Sequence, residues 1–122
     1  MENKIKLLIV DDEALICELM KPYFVRRGYE VIIATSGKQA IDLTKAHNPQ
    51  IMLLDNRMPE MDGVQTLEAI RKFNQDLKVI FISADELDLE VESRIKDLKI
   101  TGYLRKPIDL EDLNAIIAKI TI

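Results

Sequence analysis

Residues Ile51-Met52-Leu53-Leu54 are apolar without a break, and they run straight into Asp55 and then Asn56-Arg57-Met58-Pro59. A short apolar run with no polar alternation suits a strand buried on both faces, as in a parallel sheet. Asp55 then sits at the carboxyl end of that strand, where the chain leaves the core. Open parallel sheets take their ligands just outside the carboxyl ends of their strands, so a carboxylate there is a candidate site residue. What the site can do depends on which other side chains arrive beside it. With 122 residues and 48% hydrophobic content, the chain is long enough for one well-formed core and too short for two. A single domain over residues 1–122 is therefore expected.

The rest of the chain repeats the same unit. Ile5 to Val10 is β-rich and ends in Asp11-Asp12-Glu13, so the first strand also delivers carboxylates at its end. From Ala14 to Arg27, Ile16, Leu19, Met20, Tyr23 and Phe24 fall at helical spacing; Gly28 supplies a stop, and Pro22 predicts a kink or local break. Glu30 to Thr35 reads as a second strand. Ser36-Gly37-Lys38-Gln39 has the spacing of a capping box that opens a helix to about Ala46, ended by Asn48-Pro49. After the Ile51–Leu54 strand, Asp62-Gly63-Val64-Gln65 caps a third helix with Val64, Leu67 and Ile70 on one face, running to about Phe73. Leu77 to Ser83 is a fourth strand ending in a hydroxyl. Leu87, Val91, Ile95 and Leu98 mark a fourth helix whose start near Asp85 to Asp88 has competing caps. Tyr103-Leu104-Arg105 is a short fifth strand ending at Lys106-Pro107, and Asp109 caps a last helix with Leu110, Leu113, Ile117 and Ile120 inward.

Strict alternation of strands and helices implies an α/β fold: a doubly wound, five-stranded parallel sheet with right-handed crossovers. The flavodoxin-like order 2-1-3-4-5 fits the count and makes strands one and three neighbours where the order reverses. Asp11, Asp12 and Asp55 then meet at that switch point, with Ser83 and Lys106 on the next strands along. Adjacent strands are about 4.8 Å apart, close enough for their terminal carboxylates to share one ion. The available donors are hard oxygens, which select Mg²⁺, or Mn²⁺, over zinc or copper. Mg²⁺ held by one or two carboxylates normally also takes phosphate, which points to phosphoryl transfer with Asp55 as nucleophile. Three carboxylates, one Mg²⁺ and Lys106 sum to about zero charge, so an incoming phosphoryl dianion meets no net repulsion.

Each residue taken alone has a plainer role. Asp11-Asp12 can start a helix, Asp55 can be a loop acid, Ser83 a turn hydroxyl, and Lys106 a solvated surface lysine. Tyr103 suits half-buried core and Pro107 a helix start. The polar candidates nonetheless all gather at the carboxyl ends of strands, which independent capping does not explain.

Composition narrows the alternatives. The net charge of −4 comes from 21 acidic and 17 basic residues mixed along the chain, which argues against a nucleic-acid or anionic-membrane surface. Apolar runs are far below the roughly 20 residues a spanning helix needs, and the amino terminus lacks a signal-peptide pattern, so a cytoplasmic location is expected. Cys17 and His47 are single residues of their kinds. They make neither a disulfide, a transition-metal site nor a hydrolase triad, and the apolar residues around Cys17 suit burial.

Over its whole length the chain resembles the receiver domain of bacterial two-component response regulators. The resemblance rests on Leu8-Ile9-Val10-Asp11-Asp12-Glu13, Leu53-Leu54-Asp55, Met58-Pro59-Glu60-Met61-Asp62-Gly63, Val79-Ile80-Phe81-Ile82-Ser83-Ala84 and Tyr103-Leu104-Arg105-Lys106-Pro107. It implies that Asp55 accepts a phosphoryl group from a sensor histidine kinase or histidine phosphotransfer protein, in a phosphorelay or two-component pathway. It also implies that Mg²⁺ is held by Asp12, Asp55 and the backbone carbonyl of Arg57, with Asp11 acting through water. Lys106 would pair with the phosphoryl oxygens, helped by a cis bond before Pro107. Ser83 and Tyr103 would form a switch that changes the face made by the fourth helix, fifth strand and fifth helix, which a downstream protein or a second copy of the chain would read. The only reactions implied are the chain's own phosphorylation and dephosphorylation.

Some positions depart from the family pattern. Arg57 and Asp85 flank the site with opposite charges and are expected to modulate phosphoryl lifetime by pairing across its mouth, although a solvent-exposed pair contributes at most about 1 kcal/mol. Lys99-Ile100-Thr101 replaces the small residues common before the fifth strand, which leaves the end of the fourth helix open. Other functions fit less well. An aspartyl-phosphate phosphatase needs an acid where Arg57 stands, and a flavin carrier needs a hydroxyl- and glycine-rich loop where Asp11-Asp12-Glu13 stands. A receiver portion of a longer transcription factor or hybrid kinase is compatible with the same residues.

Overall fold

A computed structural model describes residues 4–84 and 89–121. Along the chain, strands and helices alternate as β1 (Lys6–Val10), α1 (Ala14–Val25), β2 (Glu30–Ala34), α2 (Gly37–His47), β3 (Ile51–Asp55), α3 (Gly63–Arg71), β4 (Lys78–Ser83), α4 (Leu89–Lys96), β5 (Gly102–Arg105) and α5 (Leu110–Ile120). All the strand pairs are parallel, as the alternation predicts, and the order across the sheet is β2-β1-β3-β4-β5, the doubly wound arrangement that fitted the strand count.

Two apolar layers cover the sheet. Leu8, Val10, Met52, Leu54, Val79 and Phe81 face α2, α3 and α4, where they meet Ala40, Val64, Leu67, Ile70 and Ile95. Leu7, Ile9, Ile51, Leu53, Ile80 and Ile82 face α1 and α5, where they meet Cys17, Met20, Phe24, Leu113 and Ile117. Every residue of β3 is buried, as its unbroken apolar pattern requires.

Local signals hold with some adjustments. Asp62 and Gln65 form the full reciprocal capping box at the start of α3. At α2, Ser36 Oγ accepts from Gln39 N, but Gln39 Oε1 accepts from Thr35 N rather than from Ser36, so that box reaches one residue further back. Pro22 does not break α1, which continues to Val25. Pro22 and Glu18, whose carbonyl loses its helical donor, both lie on the exposed side, where solvent can take the carbonyl. Leu19, expected inward, is 66% exposed, because the buried stripe of α1 follows Cys17, Met20 and Phe24 instead. Leu98 lies beyond the end of α4 yet still packs against the core. Asp85 and Leu87 fall outside the described residues. Among the described residues, no helix is long and apolar enough to cross a membrane.

Candidate functional site

Strand register determines what meets Asp55. Val10 on β1 is paired with Leu54 on β3, so the following residues, Asp11 and Asp55, leave the sheet side by side. The backbone holds both ends: Asp11 N donates to Ala34 O at 3.1 Å and Asn56 N to Ile82 O at 2.9 Å. On the other side, Ser83 pairs with Arg105, and Lys106 N donates to Ser83 O at 2.8 Å, which fixes the lysine's starting point one residue past the sheet. The Lys106-Pro107 peptide is cis, as the resemblance implied.

From there Lys106 Nζ reaches back to Asp55 Oδ1 at 3.2 Å and Asp11 Oδ2 at 3.4 Å. Carboxylate oxygens of Asp11, Asp12 and Asp55 lie within 4.8 Å of one another. Asp11 and Asp55 are buried while Asp12 is exposed, so the cluster opens to solvent on the Asp12 side. Asp11 is further held by Glu13 N, which donates to its Oδ1 at 2.9 Å. On the open side, Asp12, Asn56, Arg57, Met58, Pro59 and Asp62 line a shallow cleft of about 510 Å³, which brings Arg57 beside the acidic group.

The electrostatics follow from this crowding. Burial, joined by the charges of Asp11 and Asp12, pushes the Asp55 carboxyl up to about 6 from 3.8, against the opposing pull of Lys106. Burial lowers the Lys106 pKa, but the charges of Asp55 and Asp11 outweigh it and hold the ammonium above its ordinary value. Three carboxylates and one ammonium carry a net charge of about −2, which a single divalent cation neutralises. The donor set is all oxygen, within reach of one ion and open on one side, so these residues fit Mg²⁺.

Ser83 is buried, 4% exposed, at the end of β4. Tyr103, on β5 next to it, is half-buried with its ring stacked on Phe81 at a centroid distance of 6.5 Å. Both stand on the strands that flank the site, as the sequence placed them. Cys17 is buried beneath it, its Sγ 3.5 Å from Asp11 O, and burial pushes the thiol up to about 11, which suits packing rather than reactivity.

Two residues gain roles that sequence reasoning did not assign. Gly63 packs directly on the backbone of Asp55 and Asn56: a Cβ there would lie 2.6 Å from Asp55 O and 2.9 Å from Asn56 Cα. The Asp-Gly pair signalled a helix start, but nothing in it reveals that contact. Arg71 is buried at the end of α3, where a helix-terminal arginine reads as solvent-facing.

A family model described as the response regulator receiver domain matches residues 7–118. The chain belongs to the response regulator receiver family. Sporulation initiation phosphotransferase F of Bacillus subtilis is 34% identical over 93% of this chain and 91% of its own length. Regulatory protein AtoC of Escherichia coli is 34% identical over 93% of this chain, which corresponds to only 24% of its length. Among solved structures, a CheY-like receiver domain protein from Methanospirillum hungatei superposes with a TM-score of 0.90 at 26% identity, covering 96% of this chain and 93% of that one. CheY in a CheX–CheY–BeF3–Mg complex from Borrelia burgdorferi superposes with a TM-score of 0.86 at 28% identity, covering 97% and 90%. The chain is thus a phosphoacceptor module of two-component signalling. Receiver domains bind Mg²⁺ at an acidic pocket and work with histidine kinases or phosphotransfer proteins.

Proposed function

We propose that Asp55 is the phosphoacceptor of this receiver domain and that its phosphorylation alters the surface formed by α4, β5 and α5. The observation that carries this reading is Lys106 Nζ bridging the two buried carboxylates, Asp55 and Asp11, of a three-carboxylate cluster. In the transfer, a carboxylate oxygen of Asp55 bonds to phosphorus as the bond to the donor histidine nitrogen breaks, and the imidazole leaves. Lys106, already in contact with Asp55 Oδ1, needs only a small shift to pair with the new phosphoryl oxygens. Asp12, Asp55 and the Arg57 carbonyl would hold Mg²⁺, with Asp11 supporting it through water. The ion supplies charge neutralisation for the transferring group.

Signal output runs through Ser83. A hydrogen bond from its hydroxyl to a charged phosphoryl oxygen contributes about 1.5–3 kcal/mol, a shift of roughly tenfold to hundredfold between states if made in only one of them. Ser83 moving inward leaves room for Tyr103 to turn, and a protein target or a second copy of the chain reads the change. Arg57 lines the approach to Asp55, and with Asp85 it would tune phosphoryl lifetime. The chain modifies only itself, so it is not an enzyme in the turnover sense.

The donor's docking side is suggested by apolar surface near Lys106. Leu15 and Leu19 on α1 are 71% and 66% exposed, and Ile16 shares a hollow with Lys106, Pro107 and Ile108. A second reading, the receiver portion of a longer regulator, is favoured by AtoC and Transcriptional regulatory protein ZraR of Escherichia coli, which this chain matches over only 24% and 26% of their lengths. Incubation with Mg²⁺ and acetyl phosphate, followed by intact mass, tests the reading common to both. The wild type is expected to gain one phosphoryl group and Asp55→Asn none. Equal gain by the two proteins, or none with Mg²⁺ present, overturns it.

A further inference from the structure

We infer that α3 is a strut that transmits the state of the Asp55–Asn56 peptide to the exit of α4 through Arg71, as a second route beside Ser83 and Tyr103. The inference rests on Asp55 being the phosphoacceptor.

At its first residue, α3 bears on the acceptor itself. Gly63 N donates to Asn56 O at 2.8 Å, and the glycine lies so close to the Asp55 carbonyl that no side chain fits between them. The helix between its two ends is stiff. It is nine residues long, about 13 Å, begins in a complete capping box, and has Gly63, Val64, Thr66, Leu67, Ile70 and Arg71 buried. It has little freedom to absorb a displacement at its start.

At the other end, Arg71 is only 6% exposed. Nε donates to Leu98 O at 2.8 Å, Nη2 to Lys99 O at 3.1 Å and Nη1 to Asn74 O at 3.2 Å. Arg71 O in turn accepts from the Gln75 side chain. The fork therefore ties the end of α3 to the residues just past α4. A buried guanidinium solvated by carbonyls tolerates loss of one of them poorly, so the clamp moves with its partners rather than letting go. Lys99, held by that clamp, is in the left-handed region at φ 57°, and Thr101 N donates to Val79 O at 2.7 Å as the chain enters β5. Tyr103 follows two residues later. Arg94 Nη2 on α4 also pairs with Glu68 Oε1 on α3 at 2.9 Å, but at the surface, where ion pairs are weak.

Ser83 stands on β4, whereas Arg71 holds the residues just past α4, so the two routes can be separated. The test is amide hydrogen exchange over Leu98 to Tyr103, with and without Mg²⁺ and beryllofluoride, while ¹⁹F NMR independently reports the bound mimic. In the wild type, the mimic is expected to change exchange across this segment. Ser83→Ala at saturating mimic is expected to keep the change at Leu98 to Thr101. Arg71→Met is expected to lose it with the mimic still bound. If Arg71→Met does not fold, Arg71→Lys, which keeps the charge but not the planar fork, carries the same expectation. Retention of the change in the Arg71 variant, its loss in Ser83→Ala, or its absence from the wild type with mimic bound overturns the strut. Failure of the wild type to bind the mimic overturns the phosphoacceptor reading, and the strut with it.

Discussion

Replacing Asp55 with Asn should stabilise this domain at neutral pH. Asp55 is 4% exposed and crowded by Asp11 and Asp12, and its carboxyl is pushed up to about 6 from 3.8. Moving a carboxyl from 3.8 to about 6 corresponds to about 3 kcal/mol between protonation states. The folded protein binds the Asp55 proton more tightly than the unfolded chain does. Its contribution to stability is therefore fully present below the unfolded value of 3.8 and is lost as pH rises through about 6. Asn, which mimics the neutral acid, keeps that contribution at every pH. In metal-free buffer above about pH 7, Asp55→Asn should exceed the wild type by about 3 kcal/mol, on the order of 10 °C in Tm, and the gap should close toward pH 4. Urea or thermal melts of both proteins across that range measure it, and their difference cancels all groups that titrate alike in both. A wild type as stable as the variant above pH 7, or a gap that widens on acidification, refutes the electrostatic account of the cluster.

Three further outcomes follow from the same geometry. Lys106→Met removes the cation 3.2 and 3.4 Å from Asp55 and Asp11, so Mg²⁺ affinity measured by calorimetry should rise by about tenfold, and weaker binding contradicts the charge balance. Gly63→Ala places a Cβ 2.6 Å from Asp55 O and should cost about 1–3 kcal/mol in urea unfolding, whereas a neutral result removes the close-approach argument. Glu60, at φ 68°, pays for a left-handed backbone that glycine adopts freely; Glu60→Gly should raise stability by up to about 1 kcal/mol, and a loss would show the strain is absent.

What could be read from the residues, and what could not, divides along physical lines. The parallel strands were legible because buried strands are apolar throughout, and the meeting of Asp11 with Asp55 followed once the known doubly wound order that fits five strands was adopted; the register that sets them side by side, Val10 with Leu54, is visible only in the structure. Lys106 was legible as a cation at the carboxyl end of the fifth strand, on the same edge of the sheet as the carboxylates, while its pairing role came from the family resemblance. Leu19 misled because helical spacing alone admits neighbouring stripes, and only packing against the sheet selected Cys17, Met20 and Phe24. Arg71 was not legible, since its partners are the carbonyls of Leu98 and Lys99, and backbone acceptors leave no mark in a side-chain pattern. That clamp also answers the question raised by Lys99-Ile100-Thr101: the end of α4 is set from α3, with Lys99 in the left-handed conformation, rather than by small residues.

Phosphorus is expected to bond to Asp55 and not to its neighbours, although oxygens of the three carboxylates lie within 4.8 Å of one another. Borohydride reduces an aspartyl phosphate to homoserine, so treating the Mg²⁺ and acetyl phosphate reaction with borohydride and sequencing the peptides by mass spectrometry locates the acceptor directly. Homoserine at position 55, dependent on Mg²⁺, is the predicted result. Homoserine at position 11 or 12, or at none of the three, contradicts the account.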